Sequence, residues 1–149
     1  MKRLVATVLI LLPLAAQPLT VFSEFARIDA TGKVTSPADP REILSPALAR
    51  NAFSSFQIVV QPSDDAQWKL FIAQNPENAV QVTLYREVGD RLIKEEQPAT
   101  GTGTAVFWMD LWTARTAPVE RIKVEPQLNY HGDWVIYPME GRVMEAQVP

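Results

Sequence analysis

What most constrains this chain is its punctuation. Twelve prolines and six glycines divide the 149 residues into short runs whose apolar residues alternate, and almost no run carries a 3.6-residue period. Proline lacks the N–H that a helix interior needs, and an apolar residue at every second position fills one face of a strand. The clearest run is 53–61, where Phe56, Ile58 and Val60 share one face and Ser55, Gln57 and Gln61 the other. Residues 66–73 repeat the pattern with Trp68, Leu70 and Ile72, and the next run carries Val80, Val82 and Leu84. In 119–128, Ile122 and Val124 alternate with Arg121, Lys123 and Glu125. Further strands are expected at 20–28, 134–139 and 141–146, with a weak edge strand at 90–93. The run 105–112 is nearly all apolar, as in a strand covered on both faces.

The stretches between these runs read as connections. Residues 29–46 hold Gly32, Pro37, Pro40 and Pro46, with a helical turn expected at 40–44. Residues 62–65 and 75–78 are turns, 100–103 is a connector, and 129–133 is a hairpin loop in which Gly132 supplies positive φ. Seven or eight strands at a spacing of roughly ten residues predict an all-β fold, an antiparallel two-layer β-sandwich. A small barrel is the competing architecture.

The start of the chain carries a different pattern. Lys2 and Arg3 precede an apolar run of 13 residues from Leu4 to Ala16. Spanning the hydrocarbon of a bilayer takes about 20 helical residues, so 1–16 is read as a cleaved signal peptide and 17–149 as one domain. The alternative is an uncleaved anchor extended through Leu19, Val21 and Phe22, although Gln17 and Pro18 suit a bilayer poorly. The expected location is periplasmic or secreted. Without Lys2 and Arg3 the chain has 12 basic and 17 acidic residues, a net charge of −5. That balance argues against nucleic acid or an anionic membrane as partner. There is no cysteine, so the fold rests on its core, which suits a bacterial periplasm.

Two segments carry a family resemblance. The first is 48–60, with Asn51 ahead of Ser55-Phe56-Gln57 and an aliphatic run. The second is 107–112, with Trp108, Asp110 and Trp112, followed by Ala117-Pro118. Together they resemble bacterial β-sandwich domains that precede the catalytic barrel of some glycoside hydrolases. Ala52 stands where that family prefers Glu, and Val119-Glu120-Arg121 replaces its glycine-rich turn. The resemblance spans about 45–125 and implies a sandwich in an exported setting. It implies no catalysis, because the family's catalytic residues lie in the barrel. It reads Asn51 as a turn former at strand entry and Phe56 as core.

The candidate ligand-binding residues are aromatic: Trp108, Trp112, Tyr130 and Trp134, with Tyr137 nearby. If Met109 and Leu111 face the core, Trp108, Asp110 and Trp112 face outward. Planar rings on a sheet can stack on sugar faces while Gln127, Asn129 and Asp133 bond hydroxyls; core packing is the competing role. Asp110 reads as structural, paired with an arginine such as Arg86 or Arg121 or accepting backbone hydrogen bonds. His131, the single histidine, reads as a solvated turn residue, and Asp64-Asp65 and Glu95-Glu96 as solvated charges. No nucleophile elbow, phosphate loop or metal-ligand spacing occurs, so no catalytic residue, metal or cofactor is assigned. The reading is a non-enzymatic exported binding or docking domain for a glycan or an envelope protein. Its alternative is a structural accessory subunit of a larger envelope complex.

Overall fold

The computed structural model describes residues 17–36 and 44–149. The segment read as a signal peptide, and all of the helical turn expected at 40–44 except Leu44, lie outside the described residues. Within them the chain forms eleven strands and no helix, arranged as two stacked sheets. The all-β sandwich is therefore the observed architecture, built from more strands than the alternation reveals.

The first sheet is antiparallel throughout. Its spatial order is β1 (Leu19–Ser23), β3 (Ala52–Val60), β8 (Ala105–Thr113), β5 (Gln81–Val88) and β6 (Arg91–Glu95). The second sheet runs β2 (Ala47–Arg50), β11 (Glu140–Gln147), β9 (Arg121–Tyr130), β4 (Trp68–Asn75) and β7 (Ala99–Gly101), and β10 (Asp133–Ile136) also pairs with β9. The β2–β11 pair is parallel, which corrects the wholly antiparallel expectation.

Alternation decides what is inside. Phe56, Ile58 and Val60 of β3 and Phe107, Met109 and Leu111 of β8 meet Trp68, Leu70 and Ile72 of β4 and Ile122, Val124 and Leu128 of β9 in one buried cluster. Each such aliphatic side chain contributes about 1.5–3 kcal/mol of transfer free energy, offset by the entropy of ordering it. Trp68 packs edge-on against Phe107 at 6.0 Å between centroids. The Arg86 guanidinium lies over both rings, 5.5 Å from Trp68 and 5.0 Å from Phe107. Its charge is met by Glu95 and by the Thr100 carbonyl at 2.7 Å. This cation–π stack closes one end of the core.

Several connections differ from the sequence reading. The first strand stops at Ser23, where the Ala26 N–H donates to the Ser23 carbonyl; Ile28 makes only an isolated bridge to Val34. Part of the expected connector 100–103 is strand β7, held to β4 by pairing and by the Trp68 Nε1 donating to the Gly103 carbonyl at 2.9 Å. The hairpin after β9 needs only His131 and Gly132, at φ 54° and 81°, the positive pair that a two-residue turn requires. Tyr130 is therefore a strand residue, opposite Trp68 and packed against the core.

Candidate functional site

The site is built on the outer face of the first sheet. Register places Phe53, Trp112 and Gln81 opposite one another across β3, β8 and β5. The next outward row is Ser55, Asp110 and Thr83, and the one after it is Gln57, Trp108 and Tyr85. Four aromatic positions and a carboxylate thus share one surface. Met109 and Leu111, between them in sequence, are buried, so Trp108 and Trp112 do face outward as the strand period requires.

The residues of the Ser-Phe-Gln motif divide their tasks. Ser55 Oγ donates to Asp110 Oδ1 at 2.6 Å, and Trp108 Nε1 donates to the same oxygen at 2.8 Å. Asp110 consequently fixes the Trp108 ring on the sheet, and its second oxygen takes no hydrogen bond from the described residues. The expected arginine partners are engaged elsewhere: Arg86 with Glu95, and Arg121 with Glu140 at 3.3 Å. Phe56 points the other way, into the core. Gln57 faces outward yet is only 5% exposed, because residues 24–36 fold over it. Its Nε2 donates to the carbonyls of Ser23 at 3.2 Å and Ala26 at 2.7 Å. Asn51, at φ 57°, forms the expected turn at strand entry, and its amide donates to the Val148 carbonyl at 3.0 Å.

The folded-over segment makes one half of the face a wall. Gly32, at φ 80°, is buried beside Val59, where an added Cβ would lie 2.7 Å from the valine Cγ1. Val59 and Val106, outward in register, are buried at this end. The other half is open: Phe53 is 64% exposed and leans on Trp112 with centroids 4.7 Å apart. Trp112, Asp110, Trp108 and Tyr85 are half-buried. The result is an aromatic floor with a carboxylate in its middle, walled on one side. Phe53 and Tyr85 escaped the sequence reading although they share the strand parity of Trp112 and Trp108.

The other two candidate aromatics are not part of this surface. Tyr130 is a clamp within the second sheet. Its hydroxyl donates to Asp64 Oδ1 at 2.7 Å, lies 3.1 Å from Ser63 Oγ and accepts from the Asp64 N–H at 3.2 Å. Trp134 lies on the outer face of the second sheet, 53% exposed, with its ring 5.5 Å from Phe71 and Ile136 beside them in register. Of its expected polar companions, Asn129 bonds the Asp133 carbonyl at 3.4 Å. The four aromatics therefore divide among two opposite faces and a loop clamp.

His131 is exposed at the hairpin tip as expected, but it is partnered: Nε2 lies 2.8 Å from Asp64 Oδ2. Asp64 is likewise exposed but not simply solvated. The Tyr130 hydroxyl, then the Ala66 N–H and then His131 stabilise its carboxylate and hold its pKa down at about 2. Among the described residues no group of three or more His, Cys, Asp or Glu side chains is placed to hold a metal ion.

No family model matches the sequence, and no curated protein matches it. Among solved structures, 74% of the chain superposes on 24% of a family 123 glycoside hydrolase from Clostridium perfringens, with a TM-score of 0.52 and 9% identity. The chain thus corresponds to about a quarter of that protein's length. A human CEP192 PapD-like domain aligns with 98% of the chain and 100% of its own at a TM-score of 0.40 and 10% identity. At such identity the glycoside hydrolase likeness is one of fold, and it meets the resemblance drawn from the motifs at that level: a β-sandwich.

Proposed function

We propose that the chain is a non-enzymatic, exported binding domain that takes a glycan on the outer face of its first sheet. One observation carries the reading. Trp112, Phe53, Trp108 and Tyr85 lie on one face around Asp110, and the Trp108 ring is fixed there by a hydrogen bond that the core does not require. Pyranose rings present an apolar C–H face and a rim of hydroxyls. An aromatic floor covers the former and a carboxylate with an uncommitted oxygen accepts from the latter. The apolar segment 4–16 supports export.

Affinity electrophoresis through gels containing a panel of soluble polysaccharides tests the proposal. Retardation by at least one glycan is expected, with loss in Trp112→Ala. Equal mobility in every gel overturns it. The exposed Trp134 and Ile136, with the half-buried Phe71 beside them on the opposite sheet, favour a second reading, a structural accessory subunit docked through that side. Co-purification with an envelope protein that Trp134→Ser abolishes would select that reading.

A further inference from the structure

The first sheet ends at β6, and this edge differs from the others. Among the described residues it is the edge strand with half-exposed apolar side chains on both faces: Leu92 is 52% exposed and Ile93 49%. Leu92 and Lys94 share the outer face with Glu87 and Tyr85, while Ile93 and Glu95 share the inward-facing side with Arg86 and Leu84. An inward-facing isoleucine left half open is uncovered by the second sheet, whose edge strand β7 is three residues long. Among the described residues the backbone groups on the far side of β6 have no strand partner, which makes the edge a template for another strand.

We infer that the partner is a second copy of this chain, pairing antiparallel β6 to β6 about a two-fold axis at Ile93. The charges are self-complementary in this register. Arg91 of each copy faces Glu95 of the other, Leu92 lies beside the stem of Lys94, and Ile93 meets its own symmetry mate. Other registers fail on chemistry or on sidedness. Sliding by one residue sets outward positions of one copy against inward positions of the other, which turns one sandwich face over. Centring on Lys94 opposes two ammonium groups. Centring on Leu92 leaves Lys94 and Glu95 facing the turn at Gly89 and Asp90 rather than a strand. The register centred on Ile93 pairs all five residues. It forms a ten-stranded sheet in which both aromatic faces lie on the same side, so that a long ligand can meet two sites at once. The inference does not depend on what those faces bind.

The chain has no cysteine, which makes a single introduced thiol a clean reporter of register. Directly opposed residues in an antiparallel pair lie about 4.5–5.5 Å apart at Cα, within the reach of a disulfide. Mild oxidation of Ile93→Cys is expected to give a covalent dimer rapidly, and of Leu92→Cys slowly. Sedimentation velocity of the wild-type chain over a dilution series is expected to show a monomer–dimer equilibrium. Arg91→Glu, with an unchanged circular dichroism spectrum, should raise the dissociation constant at least about tenfold, since it sets like charges together twice. A monomer at every concentration, faster cross-linking through Leu92→Cys, or an unchanged dissociation constant in Arg91→Glu would each overturn the inference.

Discussion

Gln57 should be the residue on which the wall of the site depends, and two substitutions test this with opposite chemistry. Its amide is nearly buried and donates to the carbonyl of Ser23 at the end of β1 and to that of Ala26 in the overlying segment. Gln57→Leu keeps much of the volume but takes the side-chain donor from the Ala26 carbonyl, while the Ser23 carbonyl keeps the Ala26 N–H. A buried polar group left without a partner costs about 1–3 kcal/mol. Ser23 and Ala26 are half-buried, so water reaches them in part, and the total should fall near the low end, about 1–2 kcal/mol. Gln57→Glu keeps the shape but turns a donor into a carboxylate aimed at carbonyl oxygens, and should cost more, about 3 kcal/mol or above. Urea denaturation followed by tryptophan fluorescence reads both. With a slope of about 2 kcal/mol per molar urea, the Leu variant should lose roughly 0.5–1 M in midpoint. The Glu variant should lose more near neutral pH and recover in acid, where its protonated carboxyl can again donate. Hydrogen exchange should quicken at the Thr35 amide, which bonds the Arg27 carbonyl inside the segment. If Gln57→Glu unfolds with the wild-type midpoint, the wall is not held by this amide and the reasoning fails.

Three further outcomes follow from the same geometry. Gly32→Ala should destabilise by about 1–3 kcal/mol, because an L residue is strained at φ 80° and its Cβ would meet Val59; an unchanged melting temperature would contradict this. Asp64 has a folded pKa of about 2, below its ordinary 3.8, so its contribution to stability is fully present above pH 3.8 and is lost as pH falls through 2. Between those limits Asp64→Asn should lose less stability than wild type; parallel slopes in urea titrations across that range would count against the clamp. Leu111→Ala, at a fully buried centre of β8, should cost about 2–5 kcal/mol in the same denaturation assay.

The parts of this account that could be read from the sequence are those governed by local periodicity. The strand period alone turns Trp108 and Trp112 outward once Met109 and Leu111 are assigned to the core, and the structure places all four accordingly. The same parity sets Phe53 with Ser55 and Gln57, opposite the Phe56 face, although the sequence reading names no role for it. Non-local pairing was not legible. Nothing near Ala99 signals that three residues between Pro98 and Thr102 will pair with Trp68, or that β2 will run parallel to β11. The sequence puts Tyr130 in a five-residue loop where two residues suffice; with the turn confined to His131-Gly132, strand parity sets the tyrosine opposite Trp68. Asp110 shows a different failure. Charge alone suggested an arginine, whereas the partners supplied by register and rotamer are a serine hydroxyl and an indole N–H. The covering of the outer face by 24–36 left one trace in the sequence: a glutamine at an outward position between Phe56 and Ile58, in a motif whose other members pack or bond.

The four tryptophans offer the most direct test of the central claim, because they occupy separate environments. Trp68 lies in the core, Trp108 and Trp112 on the outer face of the first sheet, and Trp134 on the opposite sheet. Each indole N–H gives its own proton–nitrogen resonance, assignable with four single Trp→Phe variants. Titration with a glycan that retards the protein is expected to shift the Trp108 and Trp112 signals and leave those of Trp68 and Trp134 in place. Shifts confined to Trp134, or no shift at Trp108 and Trp112 at saturating glycan, would contradict a binding site on this face.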